Sequence, residues 1–486
     1  MFGIDRLIVG LGEREVVSET RTTITRRTFL RSAWLGTVAS FVTACTPLAQ
    51  AARRRPNIIW IMADDLGYGD IGVYGQTRIR TPYLDDMASQ GMRFTSAYTA
   101  YPVCRPARCC LMTGYHTGHA YIRENGMKYP LRPGTVTVAK VLKKAGYVTG
   151  MFGKWALGNE ETTGTPDQQG FSEFWGWLDQ TEAHNYYPAQ LWHNDDLVAL
   201  PGNDGLTAGS TYAPDFLIDK SIEFISAHAS ERFFAYLPFT LPHAGTAGKG
   251  GSMDLPVPST GEYIVEDWPE SARRYAAMVT RLDVHVGRIL ETLDRLGLSE
   301  DTIVFFTSDN GPHDEGNNDP EFLDSNGPLT GIKRSLNEGG IRVPMIVRWT
   351  GTVPAGSVSD FAWAFWDFLP TAAELAGMEV PSGLDGRSIL PTLCGEEQVP
   401  APYLYWEQNQ LSKANQAIDL RLQAVRVRDW KLMAPVDEPP RLFNLAADLS
   451  ESNDLAARYP DRVAELLEIA REAHDPPVIL PELFSG

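Results

Sequence analysis

Residues 57–65 read Asn-Ile-Ile-Trp-Ile-Met-Ala-Asp-Asp, an apolar run that ends on two carboxylates. An unbroken apolar run of this length is typical of a strand covered on both faces, as in a parallel sheet. Four further runs of the same kind lie at 146–152, 233–237, 302–307 and 343–347. Amphipathic segments separate the runs, the clearest at 273–296. This alternation predicts an α/β fold with a large, mostly parallel sheet sandwiched by helices.

Polar or charged residues follow four of these runs. They are Asp64 and Asp65, Lys154, His243, and Asp309 and Asn310. In open sheets of this class, ligands bind beyond the carboxyl ends of the strands. We therefore expect these side chains to share one site.

Two pairs of oxygen-bearing residues predict a metal centre. Asp64 and Asp65 follow one buried run, and Asp309 and Asn310 follow another. Hard cations such as Ca²⁺ or Mg²⁺ take such ligands, and the three carboxylates would repel one another without one. Capping of helices explains either pair alone, but both pairs after buried strands favour a metal. The sequence has no Cys/His pairs at zinc spacing, which argues against zinc.

Four cationic or ionisable side chains are candidates for binding an anion: Arg108, Lys154, His243 and Lys333. Each alone is more often a solvated surface charge. Lys154, however, lies between Gly153 and Trp155, which is unusual for a solvated lysine. Cations that converge on a divalent metal suit a tetrahedral oxyanion, because they stabilise its charge in the transition state.

Cys104 comes just before a predicted helix start that contains Pro106, and Arg108 follows one turn later. The N-terminus of a helix carries partial positive charge, so we expect the pKa of this thiol to be lowered. The alternative is a half-buried cysteine with no chemical role. All five cysteines (45, 104, 109, 110 and 394) are too few and too scattered for a disulfide framework.

Composition and the N-terminus limit the partners and the location. The net charge of −18 argues against nucleic acid, which needs a basic face. Residues 25–31 carry a twin-arginine pattern before a short apolar run, which predicts a substrate of the twin-arginine translocase with an export signal over 1–51. Residues 42–45 also resemble a lipoprotein cleavage box, so a lipid on Cys45 would be the one membrane attachment. We expect a periplasmic, cell-surface or extracellular protein.

The domain organisation follows from a change in pattern near residue 390. Residues 52–390 contain the strand and helix alternation, and we expect them to form the catalytic domain. Residues 391–486 contain loops, short strand-like runs and one helix near 461–473. They predict a smaller C-terminal α+β domain.

Several motifs together make the chain resemble the type I sulfatases of the alkaline phosphatase superfamily. They are PNIIWIMADDLGYGDIGVYG (56–75), CRPARCCLMTG (104–114), GYVTGMFGKWALG (146–158), LPHA (241–244), VFFTSDNG (304–311) and GIKRSLNEGGIRVPMIVRW (331–349). The C-x-P-x-R pattern is the most specific, because it is the family's signal for oxidation of cysteine to formylglycine.

The resemblance implies a catalytic scheme. Cys104 would be converted to formylglycine by a maturation enzyme, and its hydrate would lie on Ca²⁺ and attack the sulfur of a sulfate ester. The resemblance implies that calcium would be bound by Asp64, Asp65, Asp309, Asn310 and residue 104. Arg108 would orient the hydrate, and Lys154 and Lys333 would bind sulfate oxygens. His243 would bind sulfate and protonate the leaving alcohol.

One position departs from the family. Ala156 stands where the family's Gly-Lys-Trp-His-Leu-Gly has a histidine that assists the hydrate. Loss of a general base lowers a rate by about a hundredfold to ten-thousandfold. We expect His184, on the loop after the predicted strand that ends at Lys154, to take the place of this histidine.

The substrate implied is a sulfated small molecule or glycan. The segment 158–192 is rich in Trp and Tyr, which suit sugar rings. His313 and Asn326 are candidate contacts to the alcohol part of the substrate, and 325–329 resembles sulfatases of sulfated galactose-type sugars. We expect an exported, calcium-dependent sulfatase. Two alternatives remain open: a phosphoester or phosphonate monoester hydrolase, and a non-catalytic binder of sulfated glycans, suggested by Ala156.

Overall fold

The run at 57–65 forms strand β1 in the centre of a ten-stranded sheet. The computed structural model describes residues 54–127, 129–205, 208–247, 252–411 and 418–476. The predicted export signal over 1–51 and the lipid site at Cys45 lie outside these residues and stay predictions.

The described strands, in chain order, are β1 Asn57–Asp64, β2 Met92–Phe94, β3 Ala97–Tyr98, β4 Val148–Lys154, β5 Glu173–Trp177, β6 Gln190–His193, β7 Asp196–Ala199, β8 Phe233–Pro242, β9 Gly245–Ala247, β10 Ser252–Asp254, β11 Thr302–Ser308, β12 Met345–Arg348, β13 Ser357–Ser359, β14 Trp363–Ala364, β15 Leu404–Leu411, β16 Ile418–Val427, β17 Trp430–Pro435 and β18 Arg441–Asn444.

The described α-helices are α1 Pro82–Ser89, α2 Cys104–Thr113, α3 Val138–Lys144, α4 Ala213–Ala227, α5 Glu270–Leu296, α6 Glu338–Ile341, α7 Phe368–Leu375, α8 Leu390–Leu393 and α9 Pro460–Glu472. Short 3₁₀ turns lie at Gly72–Tyr74, Glu182–His184, Gly261–Val265, Ser299–Asp301, Glu315–Asn317 and Phe365–Asp367. No helix among the residues just listed is both long and apolar enough to cross a bilayer.

The large sheet has the order β13-β2-β12-β11-β1-β8-β4-β5-β6-β7. Strands β11, β1, β8, β4 and β5 run parallel to one another, so their carboxyl ends share one edge. Strand β12 is antiparallel to β11, and β6 is antiparallel to β5. The predicted mostly parallel sheet is confirmed, with antiparallel strands toward both sides.

Both faces of the sheet are covered, as the continuous apolar runs predicted. Along β1, Ile58, Trp60 and Met62 pack into one core cluster, and Ile59 and Ile61 into the other. Alternate side chains of a strand point to opposite faces, so this division shows two buried layers. Helix α5 covers one face, whereas α2, α3 and α7 cover the other.

A separate four-stranded antiparallel sheet, β15-β16-β17-β18, forms the C-terminal part of the fold. Helix α9 packs on it through Leu466 and Ala470, which belong to the same buried apolar cluster as Val425 and Leu432. This confirms the smaller α+β element, while the exact boundary between residues 390 and 391 stays a prediction.

Candidate active site

Four parallel strands place their last residues side by side. Asp64 ends β1, Lys154 ends β4, His243 follows β8, and Asp309 follows β11. Each of these side chains is at most 2% exposed. The structure thus brings together charged groups from positions up to 245 residues apart in the chain, because the strands that carry them are neighbours in the sheet.

The oxygen-bearing side chains meet directly. The Asp65 N–H donates to Asp309 Oδ1 at 3.2 Å, and Asn310 Nδ2 donates to Asp65 Oδ1 at 2.7 Å. Asp65 has a φ of 68°, a left-handed conformation that an aspartate tolerates better than most residues. The Asn310 amide oxygen is buried and has no hydrogen-bond partner in the part of the chain described.

These groups fit a hard cation. Burial, and then the charge of Asp64, raise the pKa of Asp309 to about 7, so this carboxylate is costly to keep ionised without further positive charge. An all-oxygen donor set with an unpaired amide oxygen is the chemistry that Ca²⁺ or Mg²⁺ requires. Asp64, Asp65, Asp309 and Asn310 would hold such an ion.

Each carboxylate is paired with its own cation. Lys154 Nζ donates to Asp64 Oδ2, Lys333 Nζ to Asp65 Oδ2, and Arg108 Nη2 to Asp309 Oδ2, each at 2.7 Å. Arg108 Nη1 also donates to the Lys154 carbonyl at 2.7 Å.

The neighbouring cations keep the Asp64 carboxylate ionised. Burial alone would raise the pKa of Asp64, but Lys154 and the neighbouring cations hold it well below its usual range. The structure therefore brings the three predicted cations to the predicted carboxylates, with all of them at most 5% exposed.

Cys104 is the first residue of α2, and its thiol donates to Asp64 Oδ1 at 3.2 Å. The expectation of a lowered thiol pKa is wrong. Burial, and then the charges of Asp309 and Asp64, raise the pKa of Cys104 well above its usual value. The partial charge of a helix N-terminus is small beside two buried carboxylates, so this side chain is a protonated thiol.

His243 has both ring nitrogens engaged. Nδ1 donates to the carbonyl of Ala244, so Nε2 is the acceptor for Lys333 Nζ at 3.0 Å. The same nitrogen lies 3.3 Å from Asp65 Oδ2. Burial, and then Lys333, keep the pKa of His243 well below its usual value, so the imidazole is neutral.

His184 lies against this histidine. The rings of His184 and His243 stack with centroids 4.1 Å apart and planes 16° apart. The Nε2 atom of His184 is buried without a hydrogen-bond partner within the described ranges. Burial, and then His243, lower the pKa of His184 to about 2. Ala156 is itself buried, with a φ of 65°. The replacement of the family's histidine by His184 stays a prediction.

The two predicted contacts to the alcohol are placed differently. His313 is fully buried, and its Nε2 donates to the Pro242 carbonyl while Nδ1 accepts the Glu315 N–H. Both nitrogens are thus engaged within the protein. Asn326 lies in the turn whose Ser325 carbonyl accepts the Gly69 N–H, and its own amide oxygen is buried and unpartnered among the described residues. A substrate contact of either residue stays a prediction.

Two residues of the site were not anticipated from the sequence. Glu315 Oε2 lies 3.4 Å from Lys333 Nζ and 3.8 Å from His243 Nε2. The Tyr186 hydroxyl donates to the carbonyls of Thr240 and His243, which fixes the end of β8. The available sequence signal for Glu315 was its position two residues after His313, a candidate site residue. Tyr186 belongs to the aromatic segment 158–192 that was expected to suit sugar rings, but nothing in the sequence indicated its hydrogen bonds to the end of β8.

The fold and the site together define a class of protein: a hydrolase with an α/β sandwich fold that acts on esters of a tetrahedral oxyanion. Residues 56–378 match the family model described as Sulfatase, and residues 332–469 match the one described as N-sulphoglucosamine sulphohydrolase, C-terminal. The chain belongs to the sulfatase family, of the alkaline phosphatase superfamily, and is a sulfuric ester hydrolase.

Relatives and solved structures agree with this assignment. The chain is 33% identical to the N-acetylgalactosamine-6-sulfatase of Rattus norvegicus, over 75% of this chain and 70% of the relative. It is 29% identical to the N-acetylgalactosamine-6-O-sulfatase of Bacteroides thetaiotaomicron, over 86% and 92%. Among crystal structures, Ps i-CgsB in complex with k-i-k-neocarrahexaose superposes with a TM-score of 0.73 at 28% identity, over 86% of this chain and 92% of that one.

Proposed function

We propose that this sulfatase removes sulfate from carbohydrates, specifically from sulfated galactose-type sugars, by means of a formylglycine at position 104 and a bound Ca²⁺. The observation that carries the proposal is the position of Cys104. Its sulfur lies 3.2 Å from Asp64, whose other oxygen is bound by Lys154. A nucleophile at this position would face the metal ligands and the anion-binding cations at once.

The substrate class is supported by similarity. Relatives named as N-acetylgalactosamine-6-sulfatases cover most of the chain, and a similar structure is in complex with k-i-k-neocarrahexaose. The acidic net charge of −18 makes the local cations necessary, since the overall field repels a sulfate ester.

The residues of the chain divide the work. Asp64, Asp65, Asp309 and Asn310 would hold the cation, which would supply Lewis-acid charge, and a hydrated aldehyde at position 104 would supply the attacking hydroxyl. Arg108, fixed by Asp309 and by the Lys154 carbonyl, orients residue 104. Lys154 and Lys333 bind sulfate oxygens and stabilise their charge in the transition state. As the hydroxyl of residue 104 forms its bond to sulfur and the S–O bond to the sugar breaks, the leaving oxygen would take a proton from the Lys333 ammonium, because His243 is neutral and its Nε2 accepts from Lys333 Nζ.

We further propose that His184 serves the role of the family's missing histidine. The ring is neutral and stacks on His243, and its Nε2 is buried and unpartnered within the described residues. We also propose export by the twin-arginine translocase, supported by the pattern at 25–31, so that the enzyme meets extracellular glycans.

The test is a comparison of two esters of the same sugar. Protein matured with a formylglycine-generating enzyme is assayed with N-acetylgalactosamine 6-sulfate and N-acetylgalactosamine 6-phosphate. The proposal predicts a much higher kcat/KM for the sulfate ester. A preference for the phosphate ester would support the phosphoester hydrolase alternative. Sulfate release that is unaffected in Lys154→Ala would contradict the assigned site.

A further inference from the structure

Two adjoining cavities lie on the loops around β5 and β6. Each has a volume of about 300 Å³, in the range of pockets that bind small ligands. Trp192 and Glu160 line both cavities, so the two are neighbours. Neither residue takes part in the catalytic centre described above.

Polar and aromatic groups in these cavities suit a sugar. Trp192 is a half-buried aromatic side chain at the junction of the two. Trp177, which lines the second cavity, is 2% exposed, and its indole N–H has no acceptor within the described ranges. A buried donor without a partner is costly, so a ligand hydroxyl that accepts this hydrogen bond would be favoured. Asn185 adds an amide to the same lining.

The charge of the cavities is negative. The first is lined by four carboxylates, Glu160, Glu161, Asp167 and Asp195, and the second by Glu160 and Glu182. The lining of each includes no lysine or arginine among the residues described. Burial, and then Asp179 and Glu160, raise the pKa of Glu182, which reflects the same concentration of negative charge. A carboxylate or sulfate on a ligand here would be repelled.

The second cavity is next to the catalytic centre. Glu182 lines it and begins the short turn Glu182–His184, whose last residue stacks on His243. Trp177 lies opposite Lys154 in the pairing of β5 with β4. Two lining residues of this cavity, Trp177 and Glu182, are thus neighbours of the catalytic centre, one by strand pairing and one within a single turn.

We propose that these cavities bind an uncharged sugar residue that adjoins the sulfated one, and that their carboxylates select against a neighbour that carries a uronate or a second sulfate. The inference rests on the proposed action on carbohydrates and adds the identity of the neighbouring residue. Trp192 provides the ring face, Trp177 the hydrogen-bond donor, and the carboxylates accept from hydroxyls.

The kinetic test uses three substrates with the same sulfated residue: the monosaccharide, a disaccharide with a neutral hexose, and a disaccharide with a uronate. Wild type should have a lower KM for the neutral disaccharide than for the other two. Trp192→Ala should raise KM for the neutral disaccharide about tenfold, as loss of an aromatic contact of roughly 1.4 kcal/mol does. The same variant should leave KM for the monosaccharide unchanged. Trp430→Ala, a half-buried tryptophan on β17, is the matched control and should alter none.

A second variant tests the charge. Glu160→Gln/Glu182→Gln changes two exposed carboxylates and should lower KM for the uronate disaccharide toward the neutral value. Equal KM for all three substrates in wild type, or an unchanged pattern in both variants, would overturn the inference.

Binding separates this inference from the proposed function. An unsulfated neutral disaccharide, titrated by calorimetry, should bind wild type and the Trp430→Ala control and bind Trp192→Ala at least tenfold more weakly. This result would support the cavity even if no sugar sulfate were hydrolysed, in which case only the proposed function fails. Equal binding to wild type and Trp192→Ala, with sulfate release intact, would refute the cavity alone.

Discussion

His184 and His243 stack with ring centroids 4.1 Å apart, although they come from the turn after β5 and from the end of β8. Ala156 stands where the resemblance of this motif to the family implies a histidine, and we propose that His184 supplies the missing imidazole from a different loop. Its Nε2 is buried and has no hydrogen-bond partner within the part of the chain described.

Replacement of this imidazole should slow the reaction without loss of the fold. His184→Ala is expected to lower kcat by about a hundredfold, as loss of a general base does. The measurement is kcat for a sugar sulfate over a range of pH, together with the circular dichroism spectrum. His228→Ala, a partly exposed histidine at the end of α4, is the control and should retain full activity.

Rescue distinguishes a chemical role from packing. In the His184→Ala background, Ala156→His should recover part of the lost kcat, because it returns an imidazole to the family's position. Full activity of His184→Ala alone would refute the role assigned to this residue.

Lys154 tests the anion-binding cations. Lys154→Ala removes the ion pair with Asp64 and should lower kcat/KM by about a hundredfold to a thousandfold, the usual effect of losing one group that stabilises transition-state charge. Lys144→Ala changes an exposed lysine at the end of α3 and should have no effect. Equal losses in both variants would show a general electrostatic effect instead.

Metal binding should raise the thermal stability of the folded protein. A cation that binds only the folded protein adds about 2.7 kcal/mol at a hundred times its Kd, so Ca²⁺ should raise the Tm and a chelator should lower it. Asp309→Asn replaces one carboxylate ligand by a neutral amide oxygen and should weaken the Ca²⁺-dependent change. A Tm that responds equally to Ca²⁺ in wild type and in Asp309→Asn would exclude this site.

Asp283 on α5 should make stability depend on pH. It accepts the N–H groups of Leu84 and Tyr83 at the start of α1, and burial raises its pKa to about 7. The unfolded value is about 3.9, so the folded state binds the proton more tightly. Its contribution is present below about pH 4 and is lost as the pH rises through about 7.

Asp283→Asn keeps an acceptor and removes this titration. Urea denaturation at pH 5 and pH 7.5 should show a smaller fall in the free energy of unfolding for the variant than for wild type. Asp301→Asn, at an exposed position, should follow wild type. A variant whose free energy falls as much as that of wild type would contradict the assignment.

The sequence predicts the centre of the fold well, for a physical reason. The runs that become β1, β4, β8 and β11 are buried on both faces, so they are apolar throughout and end where the polar site begins. The direction of β12 could not be predicted, because a buried antiparallel strand has the same local pattern. Strands β5 to β7 were missed because they lie in a segment rich in turns and aromatic residues.

Electrostatics at Cys104 shows where local patterns fail. The helix start is visible in the sequence and favours a thiolate. The thiol pKa depends first on complete burial and then on Asp309 and Asp64, which lie at the ends of β11 and β1. These effects of burial and neighbouring charge exist only after the strands have assembled into the sheet. The same holds for Glu315, whose contacts with Lys333 and His243 depend on the packing of three separate loops.

The most direct test of the account is mass spectrometry of the peptide that contains residue 104, from protein that releases sulfate. The account predicts the mass of an aldehyde at position 104, in a proportion that tracks kcat across preparations. Full sulfatase activity in protein whose Cys104 is entirely an unmodified thiol would contradict it.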